Sequence, residues 1–232
     1  MICLDDFTPP DASKKQAAET VDRTVRWAKA SKREFEMQLN ERGISGEKRP
    51  LLFAVIQGHN FKDLRKECAE RLEEIGFDGY GFGGYPIDES GVLDLEISKC
   101  VCDLIPDHKY KFALGIGKID DIANLSLMGW DIFDCTLPTR DARHKRLISL
   151  NKKPENADDM LSKGSYSYIY IDRGKYKNDK SPISEICDCT VCKNYSKAYL
   201  NHLFSTGDTL AFRLAAIHNL RVYTMALESL KR

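Results

Sequence analysis

The chain has 232 residues, 42% of them hydrophobic and 30% charged, with 35 basic and 35 acidic side chains and so no formal net charge. This is the composition of a globular chain with apolar mass for one sizeable core, and no apolar run approaches the roughly 20 residues that a bilayer span needs. A neutral balance excludes a protein that coats nucleic acid by charge alone, although Arg140, Arg143, His144, Lys145 and Arg146 form a local basic run that reads either as a solvated loop or as a nucleic-acid patch. The opening Met1-Ile2-Cys3-Leu4-Asp5-Asp6 lacks the basic start and apolar stretch of a secretory leader, so a reducing, cytoplasmic setting is expected.

In chain order, Ile2-Cys3-Leu4 reads as the end of a strand. Pro9-Pro10 then break the chain, and Asp11 opens a long helix with Ala17, Val21, Thr24, Ala28, Phe35 and Leu39 on one side. Leu51-Leu52-Phe53-Ala54-Val55-Ile56 is a continuously apolar strand ending at Gln57-Gly58, as a strand buried on both faces should be. Asn60 can cap the next helix, whose apolar positions Phe61, Leu64, Cys68, Leu72 and Ile75 step by three and four, and Gly76 can end it. Residues 78–83 predict a second strand. A helix carrying Leu93, Ile97, Cys100, Val101 and Leu104 follows, then a strand over 111–117, a short helix over 120–128 and a strand over 130–137. About five βα units imply parallel strands with helices outside. Each strand end is polar or glycine-rich: Asp5-Asp6, Gln57-Gly58, Gly83-Gly84, Gly115 to Gly117, and Asp134. That resembles the mouth of a (β/α)8 barrel, with a doubly wound sheet as the alternative; five strands cannot close eight. Residues 151–180 are polar, with a strand over 166–172, and a helical hairpin runs from about 195 to 230. The expected division is 1–150 and 151–232.

Three constellations carry chemistry. Cys187-Asp188-Cys189-Thr190-Val191-Cys192 crowds three thiols into six residues, which in a reducing setting favours a zinc ion over a disulfide with a spare thiol. The fourth ligand is either His202 or His218, and a site with four protein ligands is structural because no position stays open for water. In Phe133-Asp134-Cys135-Thr136-Leu137-Pro138-Thr139-Arg140, the carboxylate sits at the end of an apolar strand and is expected to be poorly solvated. It reads as a nucleophile toward a sugar carbon or as an aspartate satisfied by backbone donors in the following turn. Asp5 and Gln57, at neighbouring strand ends, suit a nucleobase edge or serve as turn residues. Gly115-Ile116-Gly117-Lys118 fails the spacing of a phosphate loop, so nucleoside triphosphate binding is excluded.

Together the motifs resemble the tRNA-guanine transglycosylase family of zinc-containing (β/α)8 enzymes. The matching segments, in family order, are Leu4-Asp5-Asp6 with Pro9-Pro10, Val55-Ile56-Gln57-Gly58, Gly79-Tyr80-Gly81-Phe82-Gly83-Gly84, Leu114-Gly115-Ile116-Gly117, the Asp134 block with Asp141-Ala142-Arg143, and the cysteine block leading to Ile217-His218-Asn219-Leu220. The resemblance implies a partial barrel with a C-terminal zinc-binding helical subdomain and exchange of guanine at the anticodon wobble position of tRNA for a 7-deazaguanine. Asp134 would be the nucleophile. Asp5, Gln57, Gly83, Gly84, Leu114 and Gly115 would bind the base, with Leu114 against its plane. Lys118, Arg140 and Arg143 would grip the anticodon loop. Cys187, Cys189, Cys192 and His218 would hold one structural zinc ion per chain.

The chain departs from the family pattern at His59, where a second glycine is common, and at Tyr85-Pro86-Ile87-Asp88, which replaces a small-residue loop ahead of Glu89. Met1 falls where family members enter the fourth barrel strand, so a fragment is expected, inactive alone if the earlier strands are required. A second copy or a partner subunit completing the barrel is the other arrangement. The rival function is a non-catalytic tRNA-binding subunit. An unrelated barrel acting on phosphorylated sugars would require the cysteine cluster to be incidental.

Overall fold

The computed structural model describes residues 1–84, 86–87 and 91–230, so the divergent loop positions Tyr85, Asp88 and Glu89 lie outside the described residues. The chain forms two compact units, Met1–Gly115 with Met128–Asp134, and Ile116–Leu127 with Cys135–Arg232.

In the first unit, α1 (Lys14–Glu41) starts later than Asp11, because Ser13 and Gln16 form a reciprocal capping box. It buries Ala17, Val21, Val25, Ala28 and Phe35. Strand β1 (Phe53–Ile56) is buried along its whole length. Helix α2 (Lys62–Ile75) ends at Gly76, whose φ of 81° is natural only for glycine. Its expected Asn60 cap is corrected: Phe61 is the N-cap residue and makes no side-chain cap, while the Asn60 N–H donates to His59 Nδ1 at 2.6 Å. Strand β2 (Gly79–Phe82) and helix α3 (Leu95–Leu104) follow. Asp94 caps α3 by accepting from the N–H groups of Glu96 and Ile97, which leaves Leu93 outside the helix. Strand β3 (Tyr110–Ala113) and the two-residue β4 (Ile132–Phe133) complete a parallel sheet of order β1-β2-β3-β4. Ile2 makes a parallel bridge to Phe53 on the outer side of β1, so the expected first strand is reduced to one bridge. The result is an α/β fold with four parallel strands among the described residues.

The second unit contains most of α4 (Ile119–Met128) and α5 (Leu137–Arg143), which has Pro138 in its first turn, where a missing N–H costs nothing. Strand β5 (Arg146–Leu150), helix α6 (Ala157–Leu161) and strand β6 (Tyr166–Tyr170) follow. Helices α7 (Thr190–Asn194), α8 (Lys197–Thr206) and α9 (Leu210–Ser229) end the chain. Strands β5 and β6 pair antiparallel from Arg146↔Tyr170 to Leu150↔Tyr166, and the expected division at residue 150 falls between them. β5 starts within the basic run, for which the sequence predicts a solvated loop or a nucleic-acid patch and no strand. Arg146 instead makes a two-point ion pair with Asp141, and Lys145 pairs with Asp172.

Candidate active site and metal centre

Strand register decides which side chains can meet. Ile56 pairs with Phe82, Gly81 with Phe112, and Ala113 with Phe133. Carrying each register past the strand ends puts Gln57, Gly83, Leu114 and Asp134 on one rung at the C-terminal edge of the sheet. Four expected site residues thus come together without any loop having to fold back.

Asp134 is exposed, and its Oδ1 accepts the Gly115 N–H at 2.9 Å. The expected poor solvation is corrected: Asp134 lies one residue past the end of β4, and its neighbours Phe133 and Cys135 are themselves only half-buried. Gln57 is fully buried. Its Nε2 donates to Asp5 Oδ2 at 2.7 Å and its Oε1 accepts from Thr8 at 3.2 Å, so it holds the half-buried Asp5 carboxylate in place from below. Gly83 is required for this packing: a Cβ there would lie 2.7 Å from Gln57 Cδ and 2.7 Å from the Ile56 carbonyl. Gly84, at φ 88°, is half-buried. The Leu114 side chain lies over Gly81, where a Cβ would stand 2.7 Å from its Cδ1, and stays half-buried, while Gly115 is exposed. His59 adopts a left-handed φ of 53°, the conformation that a glycine would take freely. Its ring compensates by accepting from Asn60 N–H and donating to the Pro10 carbonyl at 2.8 Å. In the second unit, Lys118, Arg140 and Arg143 are all exposed, the two arginines in the last turn of α5.

Cys187, Cys189, Cys192 and His218 present ligand atoms that all lie within 4.8 Å of one another. Ligands at about 2.0–2.3 Å from a tetrahedral zinc are roughly 3.3–3.8 Å apart, and His218 Nδ1 is 3.3 Å from Cys192 Sγ and 3.6 Å from Cys189 Sγ. The cluster could hold a metal ion, and its three thiols and imidazole fit zinc. His202 is exposed and outside it. Local structure sets the cluster up. Cys189 is the N-cap of α7 and accepts the Cys192 N–H at 3.3 Å. His218 is fully buried, and its Nε2–H donates to the Ile148 carbonyl at 2.7 Å, which leaves Nδ1 facing the sulfurs. Arg221, one turn later, grips Asp188 through Nε and Nη2 at 2.6 and 2.9 Å. Hydrogen bonds from Cys187 and Cys192 hold the Cys189 thiol far down, toward thiolate. Burial opposes charge on His218, but hydrogen bonds to Cys187 and Cys189 outweigh it and push its pKa up to about 9. All eight cysteines are free of disulfides.

Sequence reasoning missed Asn219. It is fully buried, accepts the Ile148 N–H, and donates to the carbonyls of Pro138 and Arg146. With His218 it locks α9 onto β5 and the start of α5. An asparagine on a helix carries no pattern that announces this; only the residue beside it did.

A family model for queuine tRNA-ribosyltransferase matches residues 1–232. The chain belongs to this family. Curated relatives bearing that name include proteins of Shewanella sp. strain W3-18-1 and Shewanella baltica strain OS155, each 36% identical over 231 residues, and Shewanella sp. strain ANA-3, 37% identical over 231. Each alignment covers 100% of this chain and 56% of the relative, so the chain spans about half the length of the curated relatives it matches. No helix among the described residues is long and apolar enough to cross a membrane.

Proposed function

We propose that this chain carries the catalytic region of a tRNA-guanine transglycosylase, a pentosyltransferase that exchanges guanine at the anticodon wobble position for a 7-deazaguanine. In this reading the four parallel strands are later strands of a (β/α)8 barrel, and the rung of Gln57, Gly83, Leu114 and Asp134 is its mouth. That rung, with its exposed carboxylate, is the observation that carries the proposal.

The Asp134 carboxylate attacks the ribose anomeric carbon, and the bond to guanine breaks as the new ester bond forms. Guanine leaves with the bonding pair and takes up a proton. The incoming base then gives up its own ring N–H proton, attacks the same carbon and releases Asp134, so protons balance over the exchange. Asp5, held by Gln57, accepts N–H groups of the base edge. Gly83 and Gly84 let the base approach the backbone, and Leu114 covers its face beside Gly115. Lys118, Arg140 and Arg143 bind the phosphates of the anticodon loop, a salt-sensitive contribution. Zinc at Cys187, Cys189, Cys192 and His218 would be structural, one per chain, and cross-link α7 to α9.

Incubation of the full chain with unmodified tRNA and radiolabelled guanine tests this directly. Label should enter the tRNA, and not an RNA whose wobble guanine is replaced by adenine. Tight tRNA binding with no incorporation, even when a polypeptide carrying the earlier barrel strands is supplied in trans, would leave the non-catalytic subunit in its place.

A further inference from the structure

Arg65, in the first turn of α2, is the most deeply buried cation among the described residues of the first unit. It is 1% exposed, and no carboxylate pairs with it among the described residues. Burial draws its pKa down to about 10, so it remains charged at neutral pH. An uncompensated buried cation is costly, and a methionine would fill the same space. The charge is spent on three carbonyl oxygens. Nε donates to His59 O at 2.7 Å, and Nη1 donates to Ile56 O at 2.5 Å and to Gly83 O at 2.7 Å, with the guanidinium 4.4 Å over the Phe82 ring. Two of these carbonyls flank Gln57 in sequence; the third belongs to the peptide joining Gly83 to Gly84. Nη2 faces Gly84 as well, 3.7 Å from where a Cβ would stand.

A trans peptide is planar, so its C=O and N–H point opposite ways. Fixing the Gly83 carbonyl toward Arg65 therefore turns the Gly84 N–H away from Arg65. Between two glycines this peptide has few steric reasons to keep one orientation. We propose that Arg65 is a positioning residue for base recognition: it locks the Gly83–Gly84 peptide with its N–H outward, so that the site prefers a purine-type base with a ring carbonyl oxygen over one with an amino group at the same edge. This rests on the base-exchange reading above. Without the guanidinium the peptide can turn over and present its carbonyl, which suits the amino base.

The test is calorimetric binding of guanine and of 2,6-diaminopurine to the full chain, to Arg65→Met and to Arg65→Lys. Wild type should favour guanine by about tenfold or more, the effect of leaving a buried polar group unpaired. Arg65→Met should reduce that ratio to about threefold or less, and Arg65→Lys, whose compact ammonium cannot span three carbonyls, should fall between. A folded Arg65→Met that keeps the wild-type ratio overturns the inference and leaves Arg65 a purely structural group. If Arg65→Met does not fold, an unchanged ratio in Arg65→Lys overturns it equally. A wild-type chain with no saturable guanine binding sinks the underlying base-site reading instead.

Discussion

Gln57 shows how much of the proposed site is support rather than contact. Its amide is fully buried and answered on both sides, by Asp5 and by Thr8, and Thr8 in turn shares a hydrogen bond with Thr20 of α1 at 2.6 Å. Gln57→Leu keeps the volume but leaves these partners unanswered, at about 1–3 kcal/mol. A denaturant titration should find that loss, and guanine binding should weaken because Asp5 is no longer held; unchanged binding would mean that the amide does not serve the site. The sequence exposed Gln57 and Asp5 as neighbours through the polar strand ends. It could not show which of the two faces outward, because that depends on the threonines of a loop and a helix that carry no motif. Asp134 stands out in the sequence as a candidate, but its exposure does not, since apolar neighbours in sequence do not tell whether a side chain at a strand end is covered.

Between elements, the sheet is tied at its N-terminal edge by one carboxylate. Asp78 Oδ2 accepts the Leu52 N–H at 2.7 Å, and Arg49 Nη1 reaches both oxygens at 2.9 and 3.0 Å. Burial alone would raise its pKa, but the Leu52 amide and the Arg49 guanidinium outweigh that and hold it below the ordinary aspartate range. A depressed folded pKa means that the stabilisation is complete above the unfolded value and is lost as pH falls through the folded one. Asp78→Asn should therefore cost about 1–2 kcal/mol at neutral pH, discounted for partial exposure, and the gap to wild type should close in acid. A pH-independent gap in denaturation midpoints would contradict this. Most elements were readable from period and breakers: the apolar run of β1, the three-and-four spacing of α2, and Gly76 at its end. What escaped was β5, whose Arg146 reads as surface charge until Asp141 is seen to pair with it.

For the molecule as a whole, the cysteine cluster was the most legible feature, because few chemistries crowd thiols so closely. Spacing alone left His202 and His218 open, since they sit on successive helices; the family resemblance pointed to His218, and the fold places that one against the sulfurs. Metal analysis of protein purified without chelator should give one zinc per chain, and Cys189→Ser should reduce it to near zero. Hydrogen exchange in that variant should rise over α7 and α9, while β1 and β2 keep wild-type protection. Equal loosening of the parallel sheet would show that the metal holds more than the unit containing it.

The central claim is a transient bond between the Asp134 carboxylate and an RNA sugar. Mixing the full chain with an anticodon stem-loop RNA in the absence of any incoming base, then quenching and separating the products on a denaturing gel, should reveal a protein–RNA adduct that is absent with Asp134→Asn, even though that variant still binds the RNA. An adduct that persists in Asp134→Asn would contradict the account.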